Sequence, residues 1–257
     1  MNPPIADWRA QRVWVIGSSS GIGAATAIAL LRRGARLALS ARNRAALEAL
    51  AAKFDAAQSL VLPLDLAQPG ATAPALERIA AAWGGIDLVL FVAGAHRPVR
   101  AWELDAGMAR GLFEVNVLGV MDGLSSVIPY LLKQGRGGIG IVSSVAGYRG
   151  LPTALAYGAT KAALINLAET LYFDLAPRGL GVYLINPGFV KTPLTDRNEF
   201  RMPALIGAEE AAREIVRGLE RGQFEIHFPR RFTRWLKVMR ILPYRWYFYL
   251  MHKLTGL

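Results

Sequence analysis

The tightest constraint on how this chain can fold lies between residues 12 and 33. Arg12-Val13-Trp14-Val15-Ile16 reads as a buried strand, Gly17-Ser18-Ser19-Ser20-Gly21-Ile22-Gly23 as a glycine-rich loop, and the alanine-rich run 24–33 as a helix. Glycines let the backbone turn tightly and come close to a bound group, while a helix N-terminus supplies unpaired N–H groups and partial positive charge. A strand, loop and helix in this order predicts the first unit of a parallel sheet. It also predicts a dinucleotide site in which Gly17, Ser18, Ser19, Ser20, Gly21, Ile22 and Gly23 cradle a pyrophosphate.

The rest of the chain repeats the alternation. Apolar runs at 13–16, 36–40, 60–64, 86–92, 139–143, 181–186 and 225–229 are separated by helical stretches. The pattern predicts an α/β fold, a Rossmann-like doubly wound parallel sheet of about seven strands with helices on both faces. A length of 257 residues suits one such domain, expected over 1–229, with 230–257 as a basic, aromatic-rich extension and not an independent domain. The chain has no cysteine, which excludes disulfides and cysteine-held metals, and His96, His227 and His252 are too dispersed for a metal cluster. Residues 1–10 lack an apolar h-region, so no secretory signal is expected, and a cytoplasmic location fits.

Tyr157-Gly158-Ala159-Thr160-Lys161 carries the chemistry. On a helix, residues four apart share a face, so a phenol and an ammonium are placed together. A free tyrosine ionises near pH 10, and a neighbouring cation that stabilises the phenolate would bring it into acid–base range.

Together the glycine loop and this pair resemble the short-chain dehydrogenase/reductase family over residues 13–229. The family's T-G-x-x-x-G-I-G motif matches 16–23 except at Ile16, where threonine is usual. Its serine matches Ser144, its active-site asparagine Asn116, and its P-G segment Asn186-Pro187-Gly188-Phe189-Val190-Lys191-Thr192. The departure is at Phe91-Val92-Ala93-Gly94, where the family has N-N-A-G. Two polar partners are thus lost together, which costs far less than losing one, and Ile16 is expected to pack against Phe91 or Val92.

The resemblance implies an oxidoreductase moving hydride between nicotinamide and a carbonyl or alcohol. It implies Asn116, Ser144, Tyr157 and Lys161 as catalytic residues. Ser144 would donate to the carbonyl oxygen and Tyr157 would deliver the proton. Lys161 would lower the tyrosine pKa and hold the ribose, and Asn116 would position a water linking Lys161 to solvent. Cofactor contacts are expected from the glycine loop, Arg42, Asp65, Leu66, Ala93, Gly94, Asn116, Tyr157, Lys161, Pro187, Gly188, Val190 and Thr192.

NAD-specific members carry an acid at the end of the second strand to receive the ribose hydroxyls. Here Ala41 stands there and Arg42 follows, a planar cation suited to a 2′-phosphate, so NADPH/NADP is expected over NADH, with Ser18 or Ser19 as second contacts. Arg42 also reads as the start of a charged helix, 43–54, with an Arg44/Glu48 pair. A cofactor-sensing protein without turnover is the reading of another class, and the filled Ser144, Tyr157 and Lys161 positions argue against it.

More than half of the formal +11 charge lies in residues 225–257. Arg231, Arg234, Lys237 and Arg240 run along one side of an expected helix, with Phe232, Trp235, Leu236 and Met239 on the other, and Pro243 ends it before an aromatic second segment, 244–254. Both pieces are too short to span a bilayer. Three readings follow: peripheral contact with an anionic membrane, a lid over the pocket, or the interface of a homodimer or homotetramer. Nucleic acid is not expected, because bulky apolar residues back the cationic stripe.

A membrane role would suit a lipid carbonyl substrate, and a soluble role a small alcohol or ketone. Ala95, Val145, Tyr148, Leu151 and Phe189 are expected to line the pocket, with the loop 194–206 closing over it. His96 is a candidate substrate contact, and Arg97, Arg100 and Arg149 read as solvated surface arginines.

Overall fold

The computed structural model describes residues 1–196 and 202–255. The elements run β1 (Arg12–Ile16), α1 (Gly21–Leu31), β2 (Arg36–Ser40), α2 (Arg44–Ala51), β3 (Ser59–Val61), α3 (Thr72–Trp83), β4 (Leu88–Phe91), α4 (Ala106–Phe113), α5 (Gly119–Gln134), β5 (Gly138–Val142) and α6 (Leu155–Leu175). They continue as β6 (Gly181–Pro187), β7 (Val190–Lys191), β8 (Ile206–Gly207), α7 (Ala208–Glu220), β9 (Glu225–Phe228), α8 (Arg230–Ile241) and α9 (Tyr244–Thr255).

The main sheet has seven strands in the order β3-β2-β1-β4-β5-β6-β9, and every pairing in it is parallel. This is the expected doubly wound sheet. Its central strands β1, β4, β5 and β6 are buried along their whole length, as a sheet covered on both faces requires. Alternate residues feed two cores. Trp14, Ile16 and Phe91 pack on the side of α3, α5 and α6, while Val13 and Val15 pack with α1 and α7 on the other.

Strand β3 is shorter than the expected 60–64. Its paired register ends at Val61, opposite Leu39 near the end of β2, although Leu62 and Leu64 beyond it still donate to Leu39 (2.9 Å) and Ala41 (3.2 Å). The two-stranded β7–β8 pair was not expected. At the base of the sheet the Arg12 guanidinium clasps Asp87 with two 2.7 Å contacts, joining β1 to the start of β4. At the N-terminus, Asn2 pairs with the backbone of Val182 in β6, accepting at 2.9 Å and donating at 2.6 Å.

The C-terminal extension lies against the domain. Pro243 separates α8 from α9 as expected, but the apolar residues of α8 divide between two sides. Thr233, Leu236 and Met239 turn inward, whereas Trp235, expected beside them, faces out. Arg149 is not a solvated arginine. It donates to the carbonyls of Met239 (2.9 Å), Arg240 (3.2 Å) and Leu242 (2.7 Å), closing the end of α8, and lies over the rings of Tyr247 (4.0 Å) and Tyr244 (4.6 Å). Among the described residues one helix, Ala106–Gln134, is long and apolar enough to cross a membrane, and it packs within the fold against α3 and α6.

Candidate active site

The strand order reverses between β1 and β4, so their C-terminal ends part and leave a crevice. The glycine loop forms one wall. Gly17 and Ser18 donate from their backbones to Ser40 (2.7 and 3.1 Å), fastening the loop to the end of β2. Gly17 has φ +102°, and a Cβ there would stand 2.4 Å from the Ala93 nitrogen; at Gly23 it would stand 2.0 Å from the Gly17 oxygen. Ser20 precedes α1 without a side-chain cap, which leaves the first N–H groups of the helix to an incoming anion. Across the loop, Thr192 comes within 3.1 Å of the position a Gly21 Cβ would take, so the segment after β6 overhangs the cradle.

Ser18 and Ser19 differ in role. The Ser18 hydroxyl is buried and directed at the Ser40 carbonyl (3.4 Å), leaving Ser19 as the half-exposed serine. Arg42 is exposed just beyond β2, and α2 begins after it with Asn43 as cap and the expected Arg44/Glu48 pair at 3.7 Å. Asp65 accepts from the Ala67 N–H (3.1 Å), and Leu66 is buried, its carbonyl hard against Gly119.

The second wall carries the reactive side chains. Asn116 sits in a π-turn, Glu114–Leu118, between α4 and α5. The wider turn sets its side chain inward, where it accepts from Ala95 (2.7 Å) and donates to the Ala95 carbonyl (2.9 Å) and the Thr160 hydroxyl (3.0 Å). Thr160 in turn donates to the Tyr157 carbonyl (2.7 Å), so Asn116 is locked to α6 one residue from Lys161. Sequence reasoning passed over Thr160, whose only signal was its place inside the Tyr157–Lys161 stretch.

Lys161 is buried and donates to the Val142 carbonyl at 2.9 Å. Its Nζ is 5.6 Å from the centre of the Tyr157 ring, and a Cβ on Gly94 would meet both this nitrogen and the Asn116 oxygen at 3.5 Å. Burial pulls the Lys161 pKa down to about 8. Burial pushes Tyr157 up to about 12, against the lowering effect of its hydrogen bond with Ser144. The tyrosine is thus lowered by Ser144 and not, as expected, by the lysine. Ser144 opens a short 3-10 turn, Val145–Gly147, and accepts from the Ala146 N–H at 3.1 Å. His96 packs edge-on against Tyr157 with ring centres 4.4 Å apart.

Of the residues expected to line the pocket, Ala95, Leu151 and Phe189 are half-buried. Val145 and Tyr148 are buried, Tyr148 with its hydroxyl on Glu225 at 2.5 Å, and Phe189 lies 5.7 Å from Phe232 of α8. Thr153, in the same loop, is held at φ +60° while its carbonyl accepts from Val99 at 2.9 Å. Of the loop 194–206, residues 197–201 lie outside the described residues.

A glycine cradle at a strand-order reversal, faced by a tyrosine, a serine and a buried lysine, defines a nicotinamide-dependent oxidoreductase acting on CH–OH and C=O groups. The model of the short chain dehydrogenase family matches residues 11–201. An uncharacterized oxidoreductase of Myxococcus xanthus is 38% identical over 231 residues, covering 89% of this chain and 91% of the relative. A short-chain dehydrogenase from Sphingobium yanoikuyae in complex with NADPH aligns with TM-score 0.78 at 26% identity, covering 91% and 97% of the two chains. A short-chain dehydrogenase/reductase from Burkholderia phymatum in complex with NAD shares the fold with TM-score 0.83 at 24% identity, covering 91% and 94%. The chain belongs to the short-chain dehydrogenase/reductase family.

Proposed function

We propose that the protein is an NADPH-dependent reductase of lipophilic carbonyl compounds working at a membrane surface. The observation that carries the reading is the grouping of Tyr157 with Ser144, its hydrogen-bond partner, and with the buried Lys161, whose Nζ lies 5.6 Å from the ring: a phenol so placed can give its proton to a carbonyl oxygen, as reduction requires. The bound cofactor would supply the hydride.

The residues divide the remaining work. Ser144, hydrogen-bonded to Tyr157, sits where it can steady the carbonyl oxygen as negative charge grows on it. Lys161, fixed by Val142, would hold the nicotinamide ribose, and Asn116 with Thr160 keeps the helix carrying both residues in register with Ala95. Gly17, Ser19, Ser20, Gly21, Ile22 and Gly23 would take the pyrophosphate under Thr192. Asp65 and Leu66 would meet the adenine, and Ala93, Gly94, Pro187, Gly188 and Val190 would flank the nicotinamide.

The NADPH preference rests on Ala41 and the exposed Arg42, a site that offers a 2′-phosphate a cation and no acid. Phe113, Met121, Leu155 and Phe173 on α4, α5 and α6, with Leu118 in the π-turn between α4 and α5, are exposed, an apolar surface that supports a homodimer or homotetramer of a cytoplasmic protein.

The test is NADPH oxidation by the full-length chain with matched short- and long-chain carbonyls, with and without anionic vesicles. Long-chain turnover that rises with vesicles is expected. Vesicle-independent reduction of short carbonyls would leave a soluble reductase of small ketones, favoured by the Phe189–Phe232 contact that makes α8 a wall of the pocket region.

A further inference from the structure

The C-terminal helices have an inner side that is fully engaged. Leu236, Met239 and Tyr247 are buried, Lys237 pairs with Glu225, Tyr247 donates to the Gly150 carbonyl, and Arg149 closes α8 from below. These bonds fix which side of each helix faces out. On α8 the outward stripe is Trp235, Val238 and Ile241, three residues apart, and on α9 it is centred on Trp246 and Tyr249. Val238 is 58% and Ile241 81% exposed, which is far more aliphatic surface than a solvated helix displays.

Cations border the same side. Arg230, Arg231 and Arg234 of α8 and Arg245 and Lys253 of α9 are all exposed there, while Arg240 stands one turn beyond the inward-facing Leu236. Glu225 is the last acidic residue of the chain, and it is turned inward onto Lys237 and Tyr148. The outer side of α8 and α9 therefore joins apolar side chains to positive charge with no acid among them.

We propose that this outer face is the surface by which the protein docks on an anionic lipid bilayer, Trp235, Val238, Ile241 and Trp246 entering the headgroup boundary while the arginines pair with lipid phosphates. The proposal rests on the membrane-surface reading above and names the surface that carries it. Each helix is 12 residues, about 18 Å long, so it lies in the interface and does not cross. Long arginine stems let the guanidinium groups reach phosphates while the rings and aliphatics go deeper.

A second copy of the chain fits this face poorly. A two-fold contact sets a patch against itself, and here it would bring Arg231, Arg234 and Arg245 against arginines with no acid to meet them. Nucleic acid would satisfy the charges but leave Val238 and Ile241 without partners.

The test is flotation of the full-length protein with phosphatidylcholine vesicles and with phosphatidylcholine–phosphatidylglycerol vesicles, followed by tryptophan fluorescence. Wild type should float with the anionic vesicles only, with emission shifted to the blue, and should be released by salt. The Val238→Asp/Ile241→Asp variant, changed only at exposed positions, should lose at least about tenfold in partitioning with its melting temperature unchanged. Arg231→Gln and Arg234→Gln should each lose roughly fivefold.

Wild type that stays below the anionic vesicles at low salt overturns the proposal. So does an aspartate variant that floats normally but falls from oligomer to monomer, or duplex DNA binding that depends on the arginines and not on Ile241. Reduction of a short soluble carbonyl is followed on the same preparations. Turnover without flotation retires the docking surface and keeps the reductase, whereas flotation without a long-chain preference keeps the surface and retires the lipophilic substrate.

Discussion

Ile16 and Phe91 stand directly across from one another on the neighbouring parallel strands β1 and β4, each 1% exposed and in the same core. They occupy positions where the family has a threonine and an asparagine, so an apolar pair has replaced a polar one. Phe91 also reaches α5, where its ring would lie 2.6 Å from a Cβ on Gly123. Phe91→Ala should cost about 3–5 kcal/mol in chemical denaturation. Val92 turns to the other core, half-buried among apolar side chains, so asparagine there alone should cost about 1–2 kcal/mol for want of a partner; an unchanged or raised melting temperature for Val92→Asn would refute this account.

The loop makes a sharper demand at Gly23. An alanine methyl there would fall on the Gly17 carbonyl, which is backbone and is itself pinned by the bonds to Ser40. Gly23→Ala should therefore displace the cradle and weaken NADPH binding by at least about a hundredfold, read by fluorescence titration, with the far-UV spectrum retained. Normal cofactor affinity would mean that the loop yields without losing the site.

What the sequence disclosed and what it hid follow from the range of the interactions. The glycine loop, the Tyr157–Lys161 pair and six of the seven sheet strands are local patterns, legible because period and spacing act within one element. The bounds of β3 were misjudged because where its pairing stops depends on the partner strand β2 and not on its own residues. The division of α8 into two apolar sides was hidden, because Trp235 and Leu236 are adjacent in sequence and only the partner surface decides which turns inward. Arg149 was misread for the same reason: its acceptors lie about ninety residues away in helix ends that exist only after the extension docks.

Lys161 gives the site a pH signature. Its folded pKa, about 8, is below the reference 10.5, so the native state releases the proton first. Below pH 8 the full cost of burying the ammonium is present in the native state, and as pH rises from 8 to 10.5 that cost is relieved and stability increases. The gain is on the order of 3 kcal/mol, from about 1.4 kcal/mol per pKa unit. Tyr157, with a folded pKa of about 12 against 10.0, opposes the gain only above pH 10. Urea midpoints for Lys161→Met should stay flat from pH 8 to 10 while those of the wild type climb; parallel curves would show that the ammonium is not destabilised by its burial.

Arg42 is exposed at the place where the adenosine ribose would rest, with Ala41 behind it. Arg42→Asp replaces a partner for a 2′-phosphate with an acceptor for ribose hydroxyls. KM for NADPH should rise about tenfold to a hundredfold, the range set by 1.5–3 kcal/mol for a hydrogen bond to a charged group, while KM for NADH falls. A variant that kept its ratio of the two would remove Arg42 from the cofactor site.

Arg149 is five residues beyond Ser144 in sequence and reaches the far end of α8, so it ties the catalytic turn to the C-terminal extension. Its guanidinium donates to the carbonyls of Met239, Arg240 and Leu242 and stacks on Tyr247 at 4.0 Å. The Met239 carbonyl otherwise takes only the long Leu242 N–H contact at the helix end (3.4 Å), and the ring needs a flat cation, so the site uses both the fork and the plane of arginine. Arg149→Ala should lower stability by about 1–3 kcal/mol and raise hydrogen exchange across 236–247 ahead of the rest of the chain. Arg149→Lys, which keeps the charge but loses the planar fork, should recover less than half of the loss. If lysine restored exchange protection in full, charge alone would hold the extension down, and if alanine left it unchanged, the buried Leu236, Met239 and Tyr247 would suffice without the clasp.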